Sequence, residues 1–377
     1  MRIGIVCYPT FGGSGVVATE LGLGLAKRGH EIHFITYKRP VRLSSFQTNI
    51  YYHEVNALDY PLFEYTPYDT TLASKLVDVI KFEQLDLLHV HYAIPHATIA
   101  FIVKKILEKQ GISIPVVTTL HGTDITLVGA DPSFAPVVEF SINQSDGVTA
   151  VSQALKNETL SYFNIEKDIQ VIYNFIDFER FRKIDKTHFK KAIAPHGEKI
   201  LIHTSNFRKV KRVDDVIHIF QKIQETIPGK LLLIGDGPER QKMEELCRKI
   251  KIVEHVRFLG KQDAVEELLA ISDLFLIPSE NESFGLAALE AMACNVPVIS
   301  SDAGGLPELN EDGKSGFVHP VGDINGMVNS AVRLLQDDAL LEQFKGQAAE
   351  RAKKFDIDVI LPQYEKYYSK LIAEINS

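Results

Sequence analysis

Short apolar runs alternate with longer amphipathic ones along the whole chain, and this limits the fold more than any other feature. Strand-like runs cover 2–7, 30–36, 85–91, 115–120 and 148–151 in the first half, and a helical pattern covers 16–28, stopped by Gly29. The second half repeats the scheme, with strand patterns at 199–204, 230–234, 256–259, 274–278, 296–300 and 316–319. Helical patterns fill most of its gaps, at 213–226, 238–250, 264–271, 285–293 and 325–336. Strands separated by helices imply parallel sheets covered on both faces, with ligands expected at the carboxyl ends of the strands. The 377 residues suit two such domains at about 150 residues each. The boundary falls around Ile169–Asp177, giving domains at 1–170 and 171–355. The tail, rich in Tyr and Ile, reads as one or two helices interrupted by Pro362 that pack on either domain.

Charge and cysteine content narrow the partners. The first 170 residues carry 13 basic and 17 acidic side chains and the remainder 28 and 32, so each half is near −4. Neither half is basic enough for nucleic acid to be the main partner. Cys7, Cys247 and Cys294 form no CxxC pair and sit among apolar neighbours, as small buried hydrophobes do. The N-terminus MRIGIVCYP lacks the apolar stretch of a signal peptide, and no run approaches about 18 apolar residues. A chain of the reducing cytoplasm, with no membrane insertion, is expected; a homo-oligomer stays open.

The chemistry is concentrated where strands end. In PSENESFGLAALEAMA (278–293) a strand ends near Pro278, a polar loop follows and a helix begins near Gly285. Free amides and the positive dipole end of that helix suit an anion such as a phosphate. Glu290 lies inside the apolar helix and needs hydrogen-bond donors, which sugar hydroxyls supply; Glu282 offers further acceptors. The bland alternative is that Glu290 pairs internally and Glu282 is solvated. In SNFRKVKR (205–212), Arg208, Lys209, Lys211 and Arg212 stand at a strand-to-helix turn, as a diphosphate site requires, unless they form a solvated basic loop.

Gly12-Gly13-Ser14-Gly15 follows the first strand and permits close backbone approach to a ligand, although such turns are common and this is no GxGxxG. His89 and His91 would share a strand face, which raises a metal site together with His96 and His121; no carboxylate or cysteine accompanies them at ligand spacing, so none is expected. His121 falls just past a strand and would face an interdomain cleft as a neutral donor or a charge stabiliser, or else be an ordinary core or surface histidine.

Together these pieces resemble one family. Glu282 and Glu290 form an E-x7-E motif, with Phe284-Gly285 between them and Ala291 after. Preceded by a basic loop, in two doubly wound halves, the chain resembles the retaining glycosyltransferases of the GT-B fold, family 4. The resemblance implies an α/β fold of two doubly wound parallel-sheet, Rossmann-like domains facing a cleft. The C-terminal domain then binds a nucleotide-activated sugar and the N-terminal domain the acceptor, with a helix at 356–377 crossing back onto the latter. By the same resemblance Glu290 holds the ribose, Glu282 the sugar hydroxyls, and the Phe284-Gly285-Leu286 amides lie against sugar and phosphates. Lys211 neutralises the leaving diphosphate, Gly13 lies on the donor, and His121 stands near the sugar. Many members carry Gly-Arg where this chain has Ser205-Asn206; Arg208 is expected to substitute, with Asn206 still on the donor side. The usual Pro-Asn-Gly-Val-Asp linker is Tyr173-Asn174-Phe175-Ile176-Asp177 here, a second departure.

The segments CYPTFGGSGVVATELG, HVHYAIPHA, TTLHGTDIT, YNFID and SNFRKVKR resemble a narrower group within the family. That likeness implies UDP-N-acetylglucosamine as donor, L-malate as acceptor, and the opening step of bacillithiol biosynthesis. Ser14, Tyr92, Thr119 and Thr123 then offer hydroxyls to the acceptor at strand ends, with Arg208 or Lys209 reaching the cleft. Front-face attack with no protein base and no metal cofactor is implied, the basic cluster carrying the departing charge. The competing readings are a cell-wall or polysaccharide precursor as acceptor, a nicotinamide-dependent oxidoreductase (whose GxGxxG is missing), and a catalytically silent nucleotide-sugar binding protein.

Overall fold

A computed structural model of the chain describes residues 1–10, 12–43, 47–56, 67–129 and 131–376. Phe11 of the glycine turn and Ser377 of the tail lie outside the described residues. The chain divides into two compact units, one of Met1–Asn174 with Asp358–Ser377, the other of Phe175–Ile357.

The first unit is built on seven strands, β1 (Arg2–Val6), β2 (Glu31–Thr36), β3 (Ile50–Glu54), β4 (Leu87–His91), β5 (Val116–Leu120), β6 (Gly147–Ala150) and β7 (Ile169–Val171). They pair in parallel in the order β3-β2-β1-β4-β5-β6-β7. β4 and β5 are buried at every position, as a sheet covered on both faces demands. The chain runs outward from β1 to β3, then crosses to β4 on the other side of β1. The loops after β1 and β4 therefore diverge, which opens a crevice at their carboxyl ends.

The second unit repeats this with six parallel strands, β8 (Lys199–Thr204), β9 (Gly229–Ile234), β10 (Val256–Gly260), β11 (Leu274–Ile277), β12 (Val298–Ser301) and β13 (Gly316–His319). Their order is β10-β9-β8-β11-β12-β13, so the reversal lies between β8 and β11. Helix Val213–Gln224 follows β8 and buries Val216, Ile217, Ile219, Phe220 and Ile223 against Leu231, Leu233 and Leu276. The doubly wound architecture predicted from the alternation is thus present in both halves.

The tail takes one of the two forms left open by its sequence. Residues Ile357–Asn376 form a single helix with Pro362 inside it. Proline removes one amide donor and strains a helix interior by about 3 kcal/mol. Ile360, Leu361, Tyr364, Tyr367, Tyr368 and Leu371 are all buried, and each contributes on the order of 1.5–3 kcal/mol, so packing carries the helix through the break. Its side chains reach the first sheet. Tyr368 hydroxyl bonds His89 Nδ1 at 2.7 Å, and the Val148 amide donates to the Tyr367 hydroxyl at 2.9 Å. Gly147 of β6 makes room for this, since a Cβ there would stand 2.5 Å from Leu371 Cδ1. All three cysteines are buried as free thiols, and burial pushes Cys7 and Cys294 up to about 12.

Candidate functional site

In the second unit the loops after β8 and β11 are joined. After Thr204 the chain passes exposed Asn206, buries Phe207 completely, and makes a tight 3-10 turn over Lys209–Lys211. The Glu280 amide donates to the Val210 carbonyl at 2.8 Å, and Lys211 Nζ donates to Glu282 Oε1 at 2.6 Å. Ser279 Oγ reaches the same carboxylate oxygen at 3.1 Å. Lys211 and Glu282, 71 residues apart in sequence, thus meet at the point where strand order reverses.

Arg212 is held by Asp215 at 2.6 Å and starts the next helix. Arg208 is exposed, and among the described residues its side chain has no hydrogen bond or ion pair. Beneath the loop, His203 lies between the Leu276 carbonyl and the Ser205 hydroxyl, at 2.7 and 2.8 Å. Because the carbonyl only accepts, Nδ1 carries the proton and Nε2 accepts from Ser205. Burial pulls this imidazole down to about 4, so it is neutral.

The helix that follows β11 begins at Leu286, after Gly285 at φ 98°, a conformation that favours glycine. A Cβ at Gly285 would also stand 2.6 Å from Leu306 Cδ2. Its N-cap is Gly285, which has no side chain to offer, and its first turn follows directly on the loop that carries Glu282. Phe284 is buried edge-on against Phe355 at 5.4 Å, so its ring anchors the loop and only its backbone is offered to a ligand. Glu290 is buried on the same helix. An anion facing the amides and a polyol facing the carboxylates are what such a loop can hold.

In the first unit the loops after β1, β4 and β5 converge. Gly13 opens the helix Gly13–Lys27, which also lacks a side-chain cap. Tyr92, at φ 85°, donates its hydroxyl to Ser14 Oγ at 2.8 Å, and its ring lies 5.3 Å from that of His121. His121 Nε2 and His91 Nδ1 share a hydrogen bond of 2.7 Å. Burial takes His89 and His121 down to about 3, His96 to about 4 and His91 well below the ordinary 6.5. Burial thus favours the neutral imidazole of His121 in this structure.

Asp124, not anticipated from sequence, organises these loops. Its carboxylate accepts from the amides of Ala93, His121 and Gly122 at 2.9, 3.1 and 2.9 Å, tying the β4 loop to the β5 loop. Burial outweighs these bonds and raises its carboxyl to about 6. The available signal was a lone acid three residues past His121. Thr119 is a second correction. It is completely buried, and its hydroxyl is bonded to His89 Nε2 and Thr149 Oγ1 at 2.7 and 2.6 Å. It belongs to the sheet interior and offers nothing to an acceptor. Thr123 is half-buried at the start of the turn after Gly122. The structure thus brings Ser14, Tyr92 and His121 together in one unit, and Lys211 and Glu282 in the other.

Known proteins resemble this chain in sequence and in fold. Residues 11–180 match the family described as Glycosyltransferase Family 4, and residues 184–351 match Glycosyl transferases group 1. The chain is 51% identical over 376 residues to the N-acetyl-alpha-D-glucosaminyl L-malate synthase of Bacillus anthracis, across 99% of this chain and 98% of that one. The chain is a family 4 glycosyltransferase. An uncharacterized glycosyltransferase of Methanocaldococcus jannaschii is 30% identical over 341 residues, 85% of each chain. Among solved structures, the sucrose-phosphate synthase of Thermosynechococcus elongatus aligns with a TM-score of 0.83 at 21% identity, over 99% of this chain and 100% of that one. Anabaena HepE in complex with UDP-glucose gives 0.82 at 21%, over 98% and 100%. At such identities these two speak for the fold alone. The E-x7-E pair of this glycosyltransferase falls within its group 1 half, and Ser14, Tyr92 and His121 fall within its family 4 half. No helix among the described residues is long and apolar enough to cross a membrane.

Proposed function

We propose that this glycosyltransferase moves N-acetylglucosamine from UDP-N-acetylglucosamine to the hydroxyl of L-malate with retention at the anomeric carbon, the opening step of bacillithiol biosynthesis. The observation that carries the donor side is the Lys211–Glu282 pair at 2.6 Å beside the helix that opens after Gly285 and bears buried Glu290. The near-full-length likeness to a malate synthase supports the choice of donor and acceptor.

In this reading the second unit binds the donor. Glu290 takes the ribose hydroxyls, Glu282 those of the sugar, and the amides of Phe284, Gly285 and Leu286 the sugar and phosphates. Asn206 and exposed Arg208 complete the diphosphate site, and Arg208 supplies the guanidinium that many relatives place two residues earlier. The first unit binds malate through Ser14, Tyr92 and Thr123, with Gly13 close to the donor and neutral His121 donating to the sugar. Thr119 supports this site from below without touching the acceptor.

The bond from the anomeric carbon to the diphosphate oxygen breaks and its electron pair leaves with UDP. The malate hydroxyl oxygen bonds the same face of that carbon, and its proton passes to the departing phosphate oxygen. No protein base is required, and catalysis rests on positioning and on stabilising the leaving charge by Lys211, Arg208 and the helix amides. Cationic side chains do here what a metal does in other transferases, so no metal cofactor enters the scheme.

The test is UDP release from UDP-N-acetylglucosamine in EDTA across a panel of small hydroxy acids. Release that depends on L-malate and yields an α-glycoside by NMR is expected. Release indifferent to malate, or a β-product, overturns the assignment. Turnover of a polysaccharide precursor in malate's place would return the chemistry to another acceptor.

A further inference from the structure

Three potential metal ligands lie away from every residue used above. His33 on β2, His53 on the edge strand β3 and Glu83, the last residue of helix Tyr68–Glu83, each place one ligand atom within 4.8 Å of the others. All three belong to the first unit. His33 is completely buried, while His53 and Glu83 are half-buried, so the cluster has an inner wall and a path to solvent. Helix Tyr68–Glu83 reaches it by its C-terminal end.

The chemistry of the set points to a cation. His33 Nδ1 and His53 Nε2 face each other at 3.0 Å with their rings stacked 14° from parallel. Behind them Glu31 Oε1 takes the other nitrogen of His33 at 3.2 Å. That bond places the His33 proton on Nε2 and leaves Nδ1 as a lone pair directed at His53, the outer carboxylate arrangement that orients metal-binding imidazoles.

Glu83 ends its helix, where the negative dipole end disfavours a carboxylate. Arg2 engages Glu31 at 3.6 Å and the Glu83 main-chain carbonyl at 3.3 Å. Among the described residues no hydrogen bond or ion pair reaches the Glu83 carboxylate itself. A carboxylate thus stands at the C-terminal end of a helix, within ligand distance of two facing imidazoles.

We infer that His33, His53 and Glu83 form a binding site for a divalent first-row cation of the zinc class, which fastens edge strand β3 to the end of helix Tyr68–Glu83. Two imidazoles and one carboxylate are a ligand set that zinc accepts, with water completing a tetrahedron. Bond lengths of about 2.0–2.2 Å set such ligand atoms roughly 3.3–3.5 Å apart. The imidazoles therefore separate slightly and Glu83 closes in. The ion stays out of the transfer reaction, and its effect is on the edge of the first sheet.

Tag-free full-length protein is dialysed against metal-free buffer and titrated with Zn2+ alone by calorimetry. Co2+ serves as a second probe through its visible absorption. A single equivalent is expected to bind and to raise the melting temperature, with the d–d bands of a tetrahedral nitrogen–oxygen site for cobalt. His53→Phe keeps the ring stack and Glu83→Gln keeps the shape, so either variant should retain UDP release while weakening metal affinity about tenfold or more. Absence of stoichiometric binding overturns the inference. So does binding that survives undiminished in both variants, which would place the ion elsewhere.

Discussion

Lys211 has two partners in prospect and one charge. In the structure it is satisfied by Glu282 at 2.6 Å, and in the proposed reaction it must face a departing diphosphate. In that proposal donor binding exchanges partners, with Glu282 passing to sugar hydroxyls as Lys211 passes to phosphate. Removing the cation leaves the leaving group with Arg208 and helix amides alone. Lys211→Ala is expected to lower kcat/KM by about 10²–10³-fold, the scale of losing one preorganised electrostatic group. Steady-state UDP release measures it, and a value near wild type would remove Lys211 from the mechanism. At this scale the sequence was informative about residue type and place. An acid inside an apolar helix and cations past a strand were visible as one-dimensional features. That Lys211 and Glu282 touch was not, because it depends on which strands become neighbours. Thr119 was misread for a related reason: residues of one strand alternate between faces, and only packing shows that its hydroxyl points into the His89–Thr149 network.

The helix Ile357–Asn376 shows what elements add. Tyr368 hydroxyl bonds His89, His89 bonds Thr119, and Thr119 bonds Thr149, so one helix is coupled to β4, β5 and β6 in sequence. Tyr368→Phe removes the first bond and leaves a buried imidazole nitrogen unsatisfied. A loss of about 1–3 kcal/mol is expected from urea unfolding, with the ring volume unchanged. A cost near zero would mean that His89 finds another partner. The strands of the second unit were legible from their apolar runs, with boundaries off by one or two residues. β3 was not, because IYYHE is a half-exposed edge strand of aromatic and polar residues with no continuous apolar run. Helix Asp338–Ala352 buries Leu341, Phe344, Ala348 and Ala352 at helical spacing, but its charged residues hide the stripe. Pro362 left one helix or two open in the sequence, since the breaker rule is local and the burial that overrides it is not.

At the scale of the molecule the two units differ in their buried histidines. The first holds His33, His89, His91, His96 and His121, all with lowered values, whereas the second has His203 at about 4. A group whose folded value lies below its unfolded 6.5 binds fewer protons when folded. Its stability contribution is whole above 6.5 and is lost as pH falls, by about 1.4 kcal/mol per unit and per histidine. Asp124, raised to about 6 from 3.8, acts in the opposite direction over that interval, but it is one group against five. Acid should therefore unfold the first unit ahead of the second. Calorimetry at pH 7.5 and pH 5.5 is expected to resolve a lower-melting transition only in acid, and a single transition moving as one would contradict this.

The division of the chain also imposes an order on its synthesis. Residues 1–174 leave the ribosome first, yet the helix that covers His89 and Val148 begins beyond the whole second unit. At about 5–20 residues per second, roughly 10–40 s separate the making of Asn174 from that of Tyr368. During that interval β4, β5 and β6 wait with one face uncovered while the intervening unit can fold to completion. The unit that is made first is finished last.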